Sequence, residues 1–479
     1  MRRIALTLLL WAGFWGLGLA LAGALLSLPI AELVYEGSVS FPGVLAGLGG
    51  VTVLGALRPR GWFGKAKVAP RQPLRREQVP ALAEFVDGVA RRAGAVRPDR
   101  LVFADYATAY ASTERRWGIP WRREVGIGLP LFAVLGRDEL AAVLTHEFGH
   151  HLGGDTALGP WVYRTRRSLG GALFTLDESS FFLDLPFRAY GEMFLRVSAH
   201  ISREQERAAD RRAADAFGAG AMAGALLKTY RLAPLWDVYF EAEVVPLLQR
   251  GIRVPLLDGF RRFLAEPERR TEVTRRIHEA LHREPSPWDS HPSLEKRLEE
   301  LGFGKAAPAA LERLDPGGGC LDLLGGEGAA EDAWYGVAVS GSPTPMSWDE
   351  LGDKAILPAL SGALTGARLP DPSTTPIASL PRMLSSGAAL WDRARADAVD
   401  VFSPEAKRQR ARRLLTDWLA ASLGARGFQA QVRPGAHLRL RRGALTVEPA
   451  DLVERLAAGT LAEVDYLAFC EAVEGGGES

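Results

Sequence analysis

Residues 138–155 read DELAAVLTHEFGHHLGGD, an acidic start followed by an apolar run and then the pattern His-Glu-x-x-His. The apolar run predicts a helix that is buried on most sides. Positions four apart share one face of a helix, so His146 and His150 can direct both imidazoles to one metal ion. Glu147 lies about 100° round the same helix, near the water that such a metal would hold. The stretch therefore predicts a buried helix with a candidate metal site.

A catalytic metal site of this type needs a third protein ligand and an open position for water. Residues 190–217 are predicted to form a helix, and the run QERAAD places Glu206 and Asp210 one turn apart on it. Glu206 can act as a ligand, and Asp210 can bind the second ring nitrogen of a ligand histidine. Two histidines with one carboxylate are a donor set for Zn²⁺, so we expect one zinc ion per chain. The alternative is a buried helix whose histidines only form hydrogen bonds.

The chain contains a second His-Glu-x-x-His pattern, from His278 to His282. Residues 271–276 before it read TEVTRR, which is typical of a charged, half-exposed helix face, and several prolines follow it. Downstream, Glu295 has a glutamate rather than an aspartate one turn further on. A ligand pair of a catalytic site is expected in a buried, shaped pocket. We therefore predict that His278 and His282 are surface histidines.

With these segments in place, the chain resembles the membrane-anchored, HtpX-like and CAAX-prenyl-protease-like zinc metalloendopeptidases, a branch of the gluzincins. The resemblance covers residues 80–301. It depends on four stretches in a fixed order, which are GIGLPL at 126–131, ELAAVLTHEFGH at 139–150, EQERAAD at 204–210 and SHPSLEKRL at 290–298. The order and spacing of the four stretches make the resemblance specific.

The resemblance implies a role for each residue of the candidate site. It implies that His146, His150 and Glu206 bind zinc. It also implies that Glu147 is the general base and that Asp210 supports a ligand histidine. The expected reaction is the hydrolysis of peptide bonds in polypeptide substrates by a water molecule that the metal activates.

The family also has a His-Pro pair with an arginine six residues later, matched here by His291 and Arg297. Their implied catalytic role is to hold the reacting carbonyl group or the tetrahedral intermediate. The alternative for this segment is a helix-capping turn with an exposed arginine.

HtpX-type members have further membrane spans after the metal-binding helix, whereas charged residues interrupt 156–200 here. The active site is therefore expected to open to the cytoplasm rather than to an intramembrane chamber.

Two uncharged stretches at the start of the chain, about 4–30 and 38–57, predict a transmembrane helical hairpin that contacts membrane lipid. The connection between them is acidic, and seven basic residues without an acidic one lie in 58–76. This asymmetry predicts a multi-pass protein of a bacterial-type inner membrane, with its catalytic domain in the cytoplasm. Alternatively, the first stretch is a signal peptide cleaved after the small residues 20–22, which leaves the orientation unchanged.

Composition limits the function classes. The chain has 479 residues, of which 47% are hydrophobic and 24% charged, as in folded proteins, so neither wholesale disorder nor a disulfide-stapled miniature protein fits. Its 58 basic and 57 acidic side chains give a net charge of +1, which argues against nucleic acid as a partner bound by bulk charge.

The predicted fold class is α+β, mostly α. The predicted segments are a transmembrane hairpin at 1–57, a basic linker at 58–79, a zincin-like metallopeptidase domain with a small edge-stranded sheet at 80–305, a linker-rich region at 306–400 and a small α+β domain of unknown role at 401–479. Within the peptidase domain, we expect a strand at 125–131 to be an exposed edge along which an extended substrate lies.

In the C-terminal domain, the sequence predicts a basic helix from Ser403 to about Leu423 and a hairpin around Pro434. The charges at 407–413 predict either a solvated face or a surface for anionic lipid or a partner.

The predicted function is that of a membrane-anchored zinc-dependent endopeptidase, with a role in membrane or cytoplasmic protein quality control implied by the resemblance. The alternative is a membrane-tethered zinc-binding scaffold with little protease activity, which presents its C-terminal region to partners.

Overall fold

A computed structural model describes residues 2–57, 73–104, 106–116, 119–152, 185–267, 274–276, 278–279, 292–303, 319–365, 369–394 and 403–475. These residues form two compact units. The first consists of Met1–Trp236 and Arg276–Ser340, and the second of Asp237–Arg275 and Gly341–Ser479. The described chain is a mostly helical α+β protein, which confirms the predicted fold class.

The helices are α1 (Arg2–Glu36), α2 (Phe41–Ala56), α3 (Pro80–Arg92), α4 (Leu129–Val134), α5 (Arg137–Leu152), α6 (Leu185–Phe217), α7 (Ala219–Tyr239), α8 (Val245–Leu248), α9 (Leu256–Ala265), α10 (Leu294–Glu300), α11 (Glu327–Ala338), α12 (Trp348–Leu351), α13 (Leu357–Thr365), α14 (Leu380–Ser385), α15 (Gly387–Ala394), α16 (Pro404–Ala425), α17 (Pro449–Ala457) and α18 (Glu463–Gly475). The strands are β1 (Arg100–Ala104), β2 (Ala109–Arg116), β3 (Ile119–Gly128), β4 (Ile252–Arg253), β5 (Thr344–Pro345), β6 (Gln429–Gln431), β7 (Arg439–Arg442) and β8 (Leu445–Val447).

Helices α1 and α2 pack against each other as an apolar hairpin. Glu32 closes the turn between them, because its carboxylate accepts hydrogen bonds from the backbone N–H of Ser40 at 2.9 Å and from the Ser40 hydroxyl at 2.6 Å. The stretch Ala12–Glu36 is long and apolar enough to cross a membrane. Helix α2 has 16 residues and so extends only about 24 Å, less than the ~30 Å of a hydrocarbon core. Only the first predicted span thus has the full length.

The sheet of the first unit has the order β1-β3-β2, with β1 parallel and β2 antiparallel to β3. The strand predicted at 125–131 is therefore not an edge. It is the end of the central strand β3, and its last three residues already belong to α4. The two glycines of this strand are required by close packing. A Cβ on Gly128 would lie 2.0 Å from the carbonyl oxygen of Tyr106. Strand β2 is the edge that contacts α5.

Helices α5 and α6 pack closely against each other in the first unit. Gly149, which is the second x of the His-Glu-x-x-His pattern, permits the two helices to approach closely. A Cβ at this position would lie 3.2 Å from the Cα of Ala209. Arg212 also donates a hydrogen bond of 2.8 Å to the carbonyl oxygen of Gly149. The close approach brings the side chains of the two helices into one site.

The N-terminal end of helix α6 also packs against the apolar hairpin. Phe187 and Phe194 of α6 are buried in one cluster with Phe14 of α1, and the rings of Phe14 and Phe187 meet edge to face with centroids 6.1 Å apart. A single helix of 33 residues therefore joins the hairpin to the region of Glu206.

The second unit has its own core around α16. Trp418 is fully buried there and donates a hydrogen bond of 2.7 Å from its indole nitrogen to the carbonyl oxygen of Pro370. Strands β6, β7 and β8 form an antiparallel sheet, which confirms the hairpin predicted around Pro434. Ser403 caps α16 by accepting a hydrogen bond from the backbone N–H of Ala406.

The compact units differ from the predicted segments in two places. Residues 237–275, inside the predicted peptidase domain, belong to the second unit. Residues 327–394, inside the predicted linker-rich region, contain α11 to α15. The prolines and glycines that suggested a linker lie partly at helix starts, such as Pro381 in the first turn of α14.

The basic residues of α16 have partners within the second unit. Lys407 contacts Asp392 at 2.7 Å, and the guanidinium of Arg410 lies 5.6 Å from the ring centroid of Trp391. Much of the positive charge at 407–413 is therefore paired with side chains of the second unit itself.

Candidate metal centre

Helices α5 and α6 bring together the three residues that were predicted as metal ligands. His146 and His150 project from one face of α5, with their Nε2 atoms 3.2 Å apart. Glu206 of α6 lies opposite, with one carboxylate oxygen 3.5 Å from Nε2 of His146 and the other 3.6 Å from Nε2 of His150. The candidate ligand atoms of the three residues all lie within 4.8 Å of one another.

These distances fit one tetrahedral zinc ion. Ligand bonds of about 2.0–2.1 Å in a tetrahedron place neighbouring donor atoms ~3.3–3.4 Å apart. The two imidazole nitrogens are 3.2 Å apart, close to that value, and each has one of the two carboxylate oxygens of Glu206 at 3.5–3.6 Å. Two imidazoles and one carboxylate also leave the fourth position for water, as in catalytic rather than structural zinc sites.

Asp210 lies directly behind His146. Its Oδ1 is 2.8 Å from Nδ1 of His146, the ring nitrogen that does not face the other two candidate ligands. Such a carboxylate orients the imidazole and makes its other nitrogen a stronger donor to a metal. The position one turn beyond Glu206 on α6 makes this contact possible.

Arg297 of α10 holds Asp210 from the other side. Its Nε donates to Oδ2 at 2.8 Å and a terminal nitrogen donates to Oδ1 at 2.6 Å, so the pair is bidentate. The same guanidinium lies 3.7 Å from Glu206. The side chains of Arg297 and Asp210 are each only 6% exposed. Arg297 is therefore not the exposed residue of a capping turn, although Ser293 does cap the same helix.

The charges of this cluster shift its pKa values. Burial alone would lower the pKa of His146, but the carboxylates of Asp210 and Glu206 raise it to about 9. Burial would raise the pKa of Asp210, but its contacts with Arg297 and His146 lower it below the ordinary value. In the absence of metal, His146 is thus protonated at neutral pH and Asp210 is ionised.

Glu147 lies beside a cavity of about 250 Å³ next to these residues. The cavity is lined by Thr108, Ala109, Leu131, Val143, His146, Glu147, Glu206, Met222, Ala225, Leu226, Thr229, Tyr230 and Arg297. The predicted general base and two of the predicted ligands therefore border one space that is large enough for part of a substrate.

Sequence reasoning did not identify the α7 residues of this cavity. Met222, Leu226 and Tyr230 follow the spacing of a helix face, which by itself is typical of a buried core. The structure describes only one of the three remaining histidines that the sequence analysis singled out. His278 of the second His-Glu-x-x-His pattern is exposed, whereas His282 and the predicted catalytic residue His291 lie outside the described residues.

Comparison with known proteins shows a family similarity for the part of the chain that contains this site. The family model for peptidase family M48 matches residues 77–302, a range that includes every residue of the candidate metal centre. No solved structure matches the chain significantly.

Proposed function

Since residues 77–302 form a domain of peptidase family M48, we propose that this metallopeptidase is a membrane-anchored zinc endopeptidase. The arrangement of His146, His150 and Glu206 at the spacing of zinc ligands is the observation that supports the proposal most strongly. A zinc ion in this site would lower the pKa of a bound water towards ~7 and polarise the carbonyl group of the substrate.

Glu147 acts as the general base in this proposal. It follows the first candidate ligand on α5 and borders the cavity, so its carboxylate can take a proton from the attacking water. The water oxygen forms the new bond to the peptide carbonyl carbon. Glu147 then gives the proton to the nitrogen of the leaving amine as the C–N bond breaks. The products are a carboxylic acid and an amine.

Asp210 and Arg297 position the candidate ligands in this proposal, and Arg297 also borders the cavity. Asp210 holds the ring of His146, and Arg297 neutralises and orients Asp210. The resemblance implies that Arg297 stabilises the developing oxyanion, but its contacts with Asp210 favour the positioning role. His291 stays the proposed partner of the reacting carbonyl oxygen beside the metal.

The substrate backbone is proposed to lie along β2. Thr108 and Ala109, at the start of this strand, border the cavity. Strand β2 pairs with β3 on one side, and within the described residues no strand pairs with its other side. An extended polypeptide can form backbone hydrogen bonds with such an edge.

The apolar hairpin is the proposed anchor, with the domain on the cytoplasmic side of a bacterial-type inner membrane because basic residues follow the hairpin. Substrates there are cytoplasmic or membrane-proximal polypeptides, and the proposed role is protein quality control.

Casein hydrolysis by the zinc-loaded full chain tests the proposal. Wild type should cleave casein, and Glu147→Gln should retain one zinc ion but lose at least ~10²-fold in rate, because the amide cannot accept the proton. Equal cleavage by both proteins would contradict the role of Glu147 as general base, and no cleavage by wild type would instead support the zinc-binding scaffold.

A further inference from the structure

The second unit contains a cavity of about 320 Å³ that is bordered by α14, α15, α16 and α17. Pockets that bind ligands typically have volumes of about 300–1,000 Å³. One wall is the face of α16 that carries Arg408 and Arg412, one turn apart, and most of the remaining lining is apolar. Residues of the second unit alone line this cavity, whereas residues of the first unit line the cavity beside the metal centre.

Gly387 makes room for one of these arginines. Its φ of +39° lies in the left-handed region, which favours glycine. A Cβ on Gly387 would lie 3.1 Å from Cγ of Arg408. The stem of Arg408 therefore lies close against the start of α15, and both residues form part of the cavity wall.

The two arginines give the cavity a positive side. Among the described residues that line it, none is acidic. Arg408 contacts Glu405 in a pair whose side chains are 49% and 71% exposed. Arg412 lies 3.5 Å from Glu454 in a pair whose side chains are 33% and 62% exposed. Such exposed ion pairs contribute little to stability, so an anion in the cavity can take the place of either glutamate.

We propose that this cavity binds the C-terminal carboxylate of a polypeptide whose last side chains are apolar. A guanidinium group can bind a carboxylate through two parallel hydrogen bonds, and Arg408 and Arg412 supply two such groups. Leu384, Leu415 and Leu456 supply the apolar wall, against which apolar side chains are removed from water. This binding site is additional to the proposed peptidase activity and does not depend on zinc.

Backbone acceptors favour a polypeptide over a fatty acid as the occupant. Ser385 is the last residue of α14 and Ala457 is the last residue of α17, and both line the cavity. The end of a helix leaves carbonyl oxygens without N–H partners in the helix. These oxygens can accept hydrogen bonds from the backbone N–H groups of a bound chain, whereas a fatty acid has no such donors. The negative ends of the two helices also place the carboxylate on the α16 side of the cavity.

The test is a fluorescence-polarisation titration of the zinc-loaded, full-length Glu147→Gln chain in lipid nanodiscs. The probe is a labelled hexapeptide that ends in Ala-Leu-Leu with a free carboxylate, and the matched probe ends in a C-terminal amide. The free acid should bind at least ~10-fold more tightly, because hydrogen bonds to a charged group are the stronger ones. Equal affinities for the two probes, or no binding of the free acid, would overturn the proposal.

Two pairs of variants locate the binding. In the same chain, Arg412→Gln should weaken binding of the free acid at least ~10-fold, whereas Arg413→Gln, at the next and exposed position of α16, should not. Ala457→Trp fills the cavity and should weaken binding to a similar extent, whereas Ala458→Trp, at an exposed position, should not. Binding that survives both Arg412→Gln and Ala457→Trp takes place at the zinc ion or on another surface and would refute the proposal.

Competition with decanoate distinguishes a polypeptide from a fatty acid. Unlabelled peptide should displace the probe at a concentration at least ~10-fold lower than decanoate does, because only the peptide has backbone N–H donors. Displacement by decanoate at the same or a lower concentration would overturn the assignment of a polypeptide. The binding is expected even if casein is never cleaved, so its failure and the failure of the peptidase proposal are separate results.

Discussion

The buried contact between Asp210 and Arg297 makes the substitution Asp210→Asn a sensitive test of how the site is built. The amide keeps the size of the carboxylate but removes its charge, and its NH₂ group faces guanidinium donors. Arg297, only 6% exposed, then remains as a buried charge without its bidentate partner. Breaking a buried ion pair by removing one partner costs about 3–5 kcal/mol. At ~2–4 °C per kcal/mol for a domain of this size, the Tm should fall by roughly 6–20 °C.

The same substitution should weaken zinc binding. Asp210 lies 2.8 Å from Nδ1 of His146, and loss of such a carboxylate typically lowers metal affinity 10- to 100-fold, or about 1.4–2.7 kcal/mol. Zinc affinity is measured by competition with a fluorescent chelator, and Tm by a thermal melt of the metal-free full chain in detergent. Asp215→Asn, an exposed position on the same helix, is the matched control and should change neither quantity.

A double-mutant cycle with Arg297→Met completes this prediction. Each single substitution leaves a buried charge behind, whereas the double substitution removes both charges. The double variant should therefore be more stable than the sum of the single effects by at least about 2 kcal/mol. Additive effects, or a Tm and a zinc affinity of Asp210→Asn equal to those of Asp215→Asn, would refute the reasoning.

Three further predictions concern the metal ligand, the second histidine pair and the anchor. Because the pKa of His146 is raised to about 9, zinc must displace its proton at neutral pH, so zinc affinity should rise about tenfold per pH unit from 7 to 9 and then level off. The same shift stabilises the metal-free fold below pH ~6.5, and that contribution is lost as the pH rises through 9, which melts in chelator should detect. Replacement of both His278 and His282 by alanine should leave zinc content and casein cleavage unchanged, and loss of zinc would mean that the second pattern holds the metal. Phe14→Ala should destabilise the packing of α1 on α6 by up to ~3–5 kcal/mol, whereas Leu19→Ala, 56% exposed on the same helix, should cost under ~0.5 kcal/mol in the same melts.

Local spacing was enough to identify most of the candidate site. His146 and His150, like Glu206 and Asp210, are four residues apart on helices, and a helix places such pairs on one face whatever the rest of the fold does. Glu206 and Asp210 lie more than fifty residues beyond the histidines, so the need for a third ligand and the family resemblance, rather than local spacing, connected the two helices.

Contacts between distant segments were harder to predict. The apolar strand 125–131 contained two glycines, and nothing local distinguishes a glycine of an open edge from one that admits a neighbouring backbone. The partner of Arg297 depends on how α10 packs, which spacing does not determine. Residues 237–275 join the second unit through packing with residues beyond 340, and the local sequence of this segment does not indicate such a contact.

X-ray absorption at the zinc K edge of the full wild-type chain tests the central claim most directly. We predict one zinc ion per chain, with two imidazole nitrogens at about 2.0–2.1 Å, oxygen ligands at about 2.0–2.2 Å and no sulfur. In Glu206→Ala the two imidazoles should remain while zinc content falls. Zinc bound through sulfur, or the same spectrum and zinc content in His146→Ala as in wild type, would contradict a metal centre formed by His146, His150 and Glu206.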